Sequence, residues 1–339
     1  AVGRPTIVIT HDAHLGERVL MLAHDPDGET RFSFPSVEAL AEFLNSVSVS
    51  EVIYNNLVGS TDPLKMIRVL RMQIAARSLP LTFMVHDFYP LCPSYTLINK
   101  DGSYCGVPAD LAICAACIQG YSKDLLPYGP TRVGIHEWRS EWRELMELAT
   151  EIRCFSTSSL DIFMRAYPDF ANKCTVIPHQ VEFKPSRLPT IRPASHLHIG
   201  VVGGINYSKG RAVLQSLVRH IEDHGLDHKV SVVGQVDVPI RGITVTGKYE
   251  VTHLPEIIEK LGINVILIPS IWPETFSYVT SEMMLLGMPV ACFNIGAPAE
   301  RIKNYEKGIV LGGSDPETIL KGLLQLCSAE RSHEYGLTV

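Results

Sequence analysis

The sequence predicts an α/β protein made of two Rossmann-like, doubly wound domains, on three observations. Short apolar runs alternate with helical stretches, the pattern of parallel strands joined by crossover helices. The alternation occurs twice, and residues 178–193, with four prolines and little periodicity, separate the two series. At 339 residues, 46% hydrophobic and 19% charged, the chain is long enough for two cores and too apolar for extended disorder.

In the first series, Thr6 to Thr10 reads as a first buried strand, and Glu51 to Tyr54 and Leu81 to Val85 as the next two. Strands at Glu151 to Phe155 and Cys174 to Ile177 complete it. Helical spacing covers Ser36 to Asn45, Leu64 to Arg77, Glu137 to Ala149 and Ser158 to Tyr167. In the second series the strands are His198 to Val202, Lys229 to Val233, Asn264 to Ile268 and Val290 to Phe293. Helices are expected at Ala212 to Asp223, Leu254 to Leu261, from about Ser277 onward, and near Pro316 to Cys327. The domains then fall at 1–185, carrying a cysteine-rich insert at 92–117, and at 194–325, with a tail at 326–339. Open α/β sheets bind ligands at the carboxyl ends of their strands, so two such units would place a cleft between facing sheet edges.

Composition narrows the partners. A net charge of −6 argues against a broad nucleic-acid surface. No 18-residue apolar stretch predicts a membrane span, and the first residues lack a signal-peptide pattern. The chain begins at Ala1 rather than Met, so it reads as trimmed or as part of a longer protein. Eight cysteines without secretory context suit reduced thiols and a cytoplasmic location.

The most specific motif lies between the runs Val265 to Ile268 and Val290 to Phe293. Glu274 and Glu282 stand there with seven residues between them, the first in a loop and the second on the helix that the loop feeds. Free N–H groups at that helix start, from Ser277 through Tyr278 and Val279 to Thr280, suit phosphate. Two carboxylates beside an anion site suit a ligand carrying both a diphosphate and sugar hydroxyls. With Pro269, Ser270, Phe276, Met283, Met284, Gly287, Pro289 and Val290 around them, the pair resembles the E-x7-E signature of retaining nucleotide-sugar glycosyltransferases of the GT-B fold, the group 1 type. The segment Gly296, Ala297, Pro298, Ala299, Glu300 is similar to that family's Gly-Gly-x-Pro-Glu, and Ile177, Pro178, His179 to its Ile-Pro-Asn. Ser277 stands where the family usually has Gly, and Met283 where it has Ala.

A second loop, Gly203 and Gly204 through Lys209 and Gly210, follows the first strand of the second series. Glycines let backbone N–H groups approach a phosphate, and Lys209 can neutralise a departing diphosphate. The spacing is not the G-x-G-x-x-G of nicotinamide enzymes. It resembles the family's Gly-Arg-Leu-x-x-x-Lys-Gly, with Gly204 at the arginine position, so one cation of the family's pair is missing. Gly247, Lys248 and Tyr249 match the family's base-reading segment, and an ordinary turn fits them as well.

His86, at the end of the third expected strand beside Asp87, resembles the family's histidine facing the donor sugar. His11, Asp12 and Gly16 lie where the family carries its acceptor loop, although the usual Gly-Gly is absent. Cys92, Cys105, Cys114 and Cys117 cluster in one loop, the last two at C-x2-C spacing. Four thiolates would make a structural zinc site that holds an insert with little core of its own; packed reduced thiols and disulfides are the alternatives. Trp138 and Trp142, one helical turn apart, read as core, with docking to a carrier or membrane as the alternative.

The resemblance implies a hexosyl- or deoxyhexosyl-transferase that moves a sugar from a nucleotide-diphosphate donor to an acceptor hydroxyl with retention, in polysaccharide or surface-glycan synthesis. Glu274 would bind donor-sugar hydroxyls, Glu282 the ribose, and Lys209 the leaving diphosphate. His86 would act on the sugar. No cofactor beyond the nucleotide-sugar is implied for the chemistry. The acceptor would be a glycan or a lipid-linked molecule, with the chain at the inner face of a membrane or joined to other domains. Two rivals remain open: a non-catalytic nucleotide- or glycan-binding GT-B-like domain, favoured by Gly204, and a same-fold enzyme such as a sugar-nucleotide epimerase.

Overall fold

The computed structural model describes residues 6–11, 19–25, 28–121, 133–191 and 196–334. The chain divides into two compact units, residues 1–155 with 160–177, and residues 156–159 with 178–339.

The first unit opens with an antiparallel meander of β1 (Thr6–His11), β2 (Val19–Asp25) and β3 (Gly28–Phe34). A four-stranded parallel sheet follows, in the order β4 (Val52–Tyr54), β5 (Leu81–Met84), β6 (Ala149–Cys154) and β7 (Cys174–Val176). The expectation that Thr6 to Thr10 is a buried first strand of this sheet is corrected. β1 pairs with β2 rather than with β4, and Val8 is exposed. A groove of about 450 Å³, lined in part by Val8, Ile9, Val52, Ile53 and Ile74, lies between β1 and β4.

The helices start where their caps dictate. Ser36 accepts the Ala39 N–H to open α1 (Val37–Ser46), and Asp62 accepts that of Lys65 to open α2 (Pro63–Arg77), with proline at the first position. α3 (Leu111–Gln119), α4 (Ile135–Glu147) and α5 (Thr157–Ala166) follow. The core of this unit is aromatic. Tyr54 stacks on Phe83 at 4.3 Å, Trp142 meets Tyr54 edge-on at 5.3 Å, and Trp138 donates its indole N–H to the Tyr89 carbonyl at 2.6 Å. Both tryptophans are fully buried, which settles them as core rather than a docking surface. The segment after β5 also contributes buried residues, Phe88, Tyr89, Leu91, Leu97, Ile98 and Val107, with Tyr89 packed edge-on against Trp138.

The second unit is a six-stranded parallel sheet. Its strands are β8 (His198–Ile205), β9 (Lys229–Val236), β10 (Thr244–Val245), β11 (Val265–Ile268), β12 (Val290–Phe293) and β13 (Gly308–Leu311). In space the order is β10-β9-β8-β11-β12-β13. Alternate strand residues bury on opposite faces. Val201, Val232, Val265 and Leu267 join one core, and Val202, Val233, Ile266 and Ile268 the other, as helices on both faces require. The helices are α6 (Arg211–Asp223), α7 (Leu254–Leu261), α8 (Tyr278–Leu285), α9 (Gly296–Ile302) and α10 (Pro316–Glu334).

The strand order decides where a ligand fits. The chain leaves β8 toward β9 and β10 on one side, then returns to β11 on the other. The reversal opens a crevice at the carboxyl ends of β8 and β11. The loops that leave these ends carry Asn206 to Lys209 and Ser270 to Ser277, whereas Gly203 and Gly204, expected in the first loop, are corrected to the last residues of β8 and pair with β9.

Candidate functional site

The loop after β8 is organised by Asn206. Its side-chain oxygen accepts the Lys209 N–H at 3.0 Å and the Ser208 hydroxyl at 2.9 Å, and its carbonyl accepts the Arg211 N–H at 3.0 Å. Gly210 then turns into α6 at φ 86°, and a Cβ there would stand 2.1 Å from the Pro269 carbonyl oxygen. Only glycine meets both conditions. The Ser208 carbonyl also accepts the Ile271 N–H at 3.0 Å, so the loops after β8 and β11 are joined through their backbones.

That junction brings the two expected donor motifs together. Lys209 Nζ stands 2.6 Å from Glu274 Oε2, with the Glu274 side chain only 4% exposed and that of Lys209 35%. The Ser270 hydroxyl donates to Glu274 Oε1. The Glu274 carbonyl accepts the Ala297 N–H at 2.8 Å, which seats the start of α9 on the loop. The buried Glu274 side chain thus sits beside one lysine and one hydroxyl, and the lysine keeps a face open to solvent.

Ser277 caps α8. Its Oγ takes the Thr280 N–H at 3.3 Å and the Thr280 hydroxyl at 2.9 Å. Tyr278 and Val279, in the first turn of α8, keep N–H groups with no intrahelical acceptor, while that of Thr280 is engaged by the cap. These N–H groups sit at the positive end of the helix dipole. Val279 also lies near Gly203, where a Cβ would meet its Cγ2 at 3.7 Å.

One turn into α8, the Glu282 carboxyl is half-buried, and burial raises it above the usual carboxylate range. Burial first, and the Glu282 charge second, push the Tyr249 hydroxyl up to about 12. The Glu282 carboxyl on the E-x7-E helix thus acts electrostatically on Tyr249, beside the Gly247 turn. The Gly247 N–H donates to the Gly234 carbonyl at 2.9 Å, while Lys248 is exposed. Gly204 faces open space, and a Cβ added there would meet nothing within 4 Å.

Sequence reasoning did not single out Arg301. On α9, its guanidinium lies 5.2 Å from the Phe276 ring centroid, and it makes no hydrogen bond or ion pair among the described residues. Burial lowers its affinity for its proton, an effect opposed by the neighbouring Glu300. Phe276 packs edge-on against His179 at 5.2 Å and Tyr278 at 5.1 Å. A basic residue one position after a Glu on a short helix carries no recognisable sequence signal.

In the first unit, His86 is half-buried against Phe155, ring centroids 4.5 Å apart. Asp87 is buried and accepts from Asn56 Nδ2 at 2.5 Å and the Tyr89 N–H at 2.8 Å. Burial lifts its carboxyl to about 7 against the opposing Tyr89 hydrogen bond. β1 ends at His11, while Asp12 and Gly16 lie outside the described residues. Cys92, Cys105, Cys114 and Cys117 are free, partly exposed thiols. Among the described residues, no three His, Cys, Asp or Glu side chains stand ready-made around a metal position, so the expected zinc site gains no support from geometry of that kind. Among the same residues no helix is long and apolar enough to cross a membrane.

Residues 194–335, nearly the whole unit that holds these loops, match the family model of glycosyl transferases group 1. This domain belongs to the group 1 glycosyltransferases. Solved glycosyltransferases share the fold of the chain as a whole. HepE from Anabaena, in complex with UDP and glucose, aligns at TM-score 0.51 and 14% identity over 88% of this chain and 76% of its own. A point mutant of TarM from S. aureus, in complex with fondaparinux, alpha-GlcNAc-glycerol and UDP, aligns at 0.53 and 12% over 95% of this chain and 57% of its own. The catalytic domain of starch synthase IV from Arabidopsis thaliana, bound to ADP and acarbose, aligns at 0.53 and 12% over 96% and 80%. At such identities the likeness is one of fold, the two-domain Rossmann-like GT-B architecture. No curated protein matches the sequence.

Proposed function

We propose that this group 1 glycosyltransferase domain binds a nucleoside-diphosphate sugar, and that the chain transfers the sugar to an acceptor hydroxyl with retention. The observation that carries the reading is the buried Glu274 paired with the solvent-facing Lys209, beside the free first-turn N–H groups of α8. Phosphate oxygens accept from Tyr278 and Val279 and pair with Lys209, which leaves Glu274 to accept hydrogen bonds from sugar hydroxyls. Glu282 accepts from the ribose. Negative charge that develops on the leaving diphosphate meets donors already in place, the arrangement that lowers a barrier without reorganisation at the moment of reaction. HepE is solved with UDP and glucose, and starch synthase IV with ADP and acarbose, which supports a nucleotide-sugar donor for this fold.

In this reading residues 194–325 form the donor domain, and residues 1–185 the acceptor side, with His86 acting on the sugar and His11, Asp12 and Gly16 on the acceptor. The transferred group is a hexose or deoxyhexose, and the product a polysaccharide or surface glycan. Arg301 is the candidate for the cation absent at position 204.

The test is a thermal-shift panel of UDP, ADP and GDP and their sugars on the whole chain. A ligand that binds only the folded state raises the melting temperature by mass action, by about 2.7 kcal/mol of stability at one hundred times its dissociation constant. One nucleotide should shift the wild type, and Glu282→Gln should lose most of that shift. A full shift retained in Glu282→Gln would remove Glu282 from the donor site. The second reading, a binding domain without turnover, is favoured by Gly204 and predicts a nucleotide shift without donor hydrolysis or transfer.

A further inference from the structure

Trp272 has no part in the donor contacts described above, yet it stands on the same loop as Glu274, two residues before it. The loop is fixed on both sides of it. The Ile271 N–H donates to the Ser208 carbonyl at 3.0 Å. The Trp272 carbonyl accepts the Glu274 N–H at 3.0 Å, which closes a tight turn over the buried Pro273. The start of α9 backs that turn closely. A Cβ on Gly296 would fall 2.7 Å from the Glu274 nitrogen and 2.8 Å from the Pro273 Cα. An indole on a backbone held this way has only two torsions left to order, so it can present a rigid face at little entropic cost.

The surroundings of that face are mixed in character. Lys209 Nζ lies 5.9 Å from the Trp272 ring centroid, within reach of a cation–π attraction. The same ammonium stands 2.6 Å from Glu274 Oε2. One cation therefore bridges an aromatic ring and a carboxylate. Trp272 is partly exposed, whereas Trp138 and Trp142, the other tryptophans of the chain, are fully buried in the first unit. A carboxylate accepts hydrogen bonds from hydroxyls. The negative face of an indole attracts C–H groups made positive by neighbouring oxygens. A pyranose offers both, with hydroxyls around its rim and C–H groups across its face.

We propose that Trp272 is a specificity-determining residue of the donor site, its indole packing against the C–H face of the transferred pyranose while Glu274 holds the hydroxyls of that sugar. The proposal rests on the donor function stated above. As diphosphate oxygens pair with Lys209, the ammonium gives up its hold on the ring and on the carboxylate together. Both are then released to the sugar at the moment the phosphates arrive. The site so built favours a sugar nucleotide over the bare diphosphate that remains after transfer.

The probes are UDP, ADP and GDP with UDP-glucose, ADP-glucose and GDP-mannose, added to the whole chain. Acrylamide quenching of the wild type comes first, because Trp272 is the partly exposed tryptophan. For the base that binds, the sugar nucleotide should shield that tryptophan, and the bare diphosphate should not. Equal shielding by the diphosphate would set the base or the phosphates against the indole and overturn the proposal. This readout needs no variant to fold. In calorimetric titrations, Trp272→Leu should weaken the sugar nucleotide by about tenfold and leave the bare diphosphate nearly unchanged. Trp272→Tyr, which restores a ring, should recover most of the loss. Equal weakening of both ligands would mean that the ring acts only through Lys209. An unweakened sugar nucleotide would mean that the ring touches no sugar. Either result overturns the proposal. Failure of all six probes to bind the wild type would strike the donor function itself, and this subsite with it.

Discussion

Lys209→Ala removes the only cation that contacts Glu274 among the described ion pairs. Breaking a fully buried ion pair by deleting one partner costs about 3–5 kcal/mol, because the remaining charge is left uncompensated. Here the cost is smaller. Lys209 is about a third exposed, so water already screens the pair, and Ser270 keeps its hydrogen bond to the carboxylate. Half the buried-pair figure, about 2 kcal/mol, is the working value. For a domain of this size that lowers the melting temperature by roughly 4–8 °C. Glu274→Gln keeps the shape and an acceptor for Ser270, and it frees Lys209 to turn into solvent, so it should cost less than about 1 kcal/mol. The double variant should recover part of the Lys209→Ala loss, since the stranded charge is gone. Calorimetric melts of the four proteins at pH 7.5 and low salt measure this. If Lys209→Ala melts with the wild type, or Glu274→Gln is the less stable of the two, the carboxylate does not depend on Lys209 and the argument fails. The same proteins with nucleotide added separate stability from binding: Lys209→Ala should lose most of the ligand-induced shift.

Gly210→Ala should destabilise by about 2–5 kcal/mol, from left-handed strain plus the clash with the Pro269 carbonyl, and a melt within about 1 kcal/mol of wild type would contradict the close approach. Asp87 titrates at about 7 in the folded chain, above its ordinary value, so the folded state binds more protons than the unfolded state between about pH 4 and pH 7. Stability contributed by this group is therefore greatest at acid pH and falls as pH rises through that window, by an amount on the order of a few kcal/mol. Asp87→Asn should flatten that part of the urea-midpoint profile, and an unchanged slope would reject it. A Cβ at position 204 meets nothing within 4 Å, and Gly204→Arg should tighten binding of the nucleotide diphosphate by about tenfold, read by calorimetric titration, if the loop after β8 holds the phosphates.

The parallel strands were legible because they are short apolar runs buried on both sides, as at Val265 to Ile268 and Val290 to Phe293. The meander was not. β3 carries Glu29, Thr30, Arg31 and Ser33 and is exposed along almost its whole length, so it offers no burial period to read. α3, an alanine- and cysteine-rich stretch with no buried residue, looks like loop until its Asp110 cap is weighed. α9 begins at glycine with proline third and reads as a motif tail rather than a helix. In the site, spacing brought Glu274, Lys209 and the α8 start into one expectation, because strand ends converge at a reversal of strand order. It did not reveal that Ser277 caps α8 and so occupies the Thr280 N–H, since a serine before a helix serves equally as cap or as phosphate contact.

The backbone seam between Ser208 and Ile271, reinforced by Gly210 against Pro269, joins loops some sixty positions apart in the chain. A ligand that bridges Lys209 and α8 therefore need not gather its two binding loops out of independent motion. The entropy of bringing them together is spent once, during folding, and not again at each encounter with the donor. Mutations in the seam should thus register as weakened nucleotide affinity even where no residue that touches the nucleotide has changed.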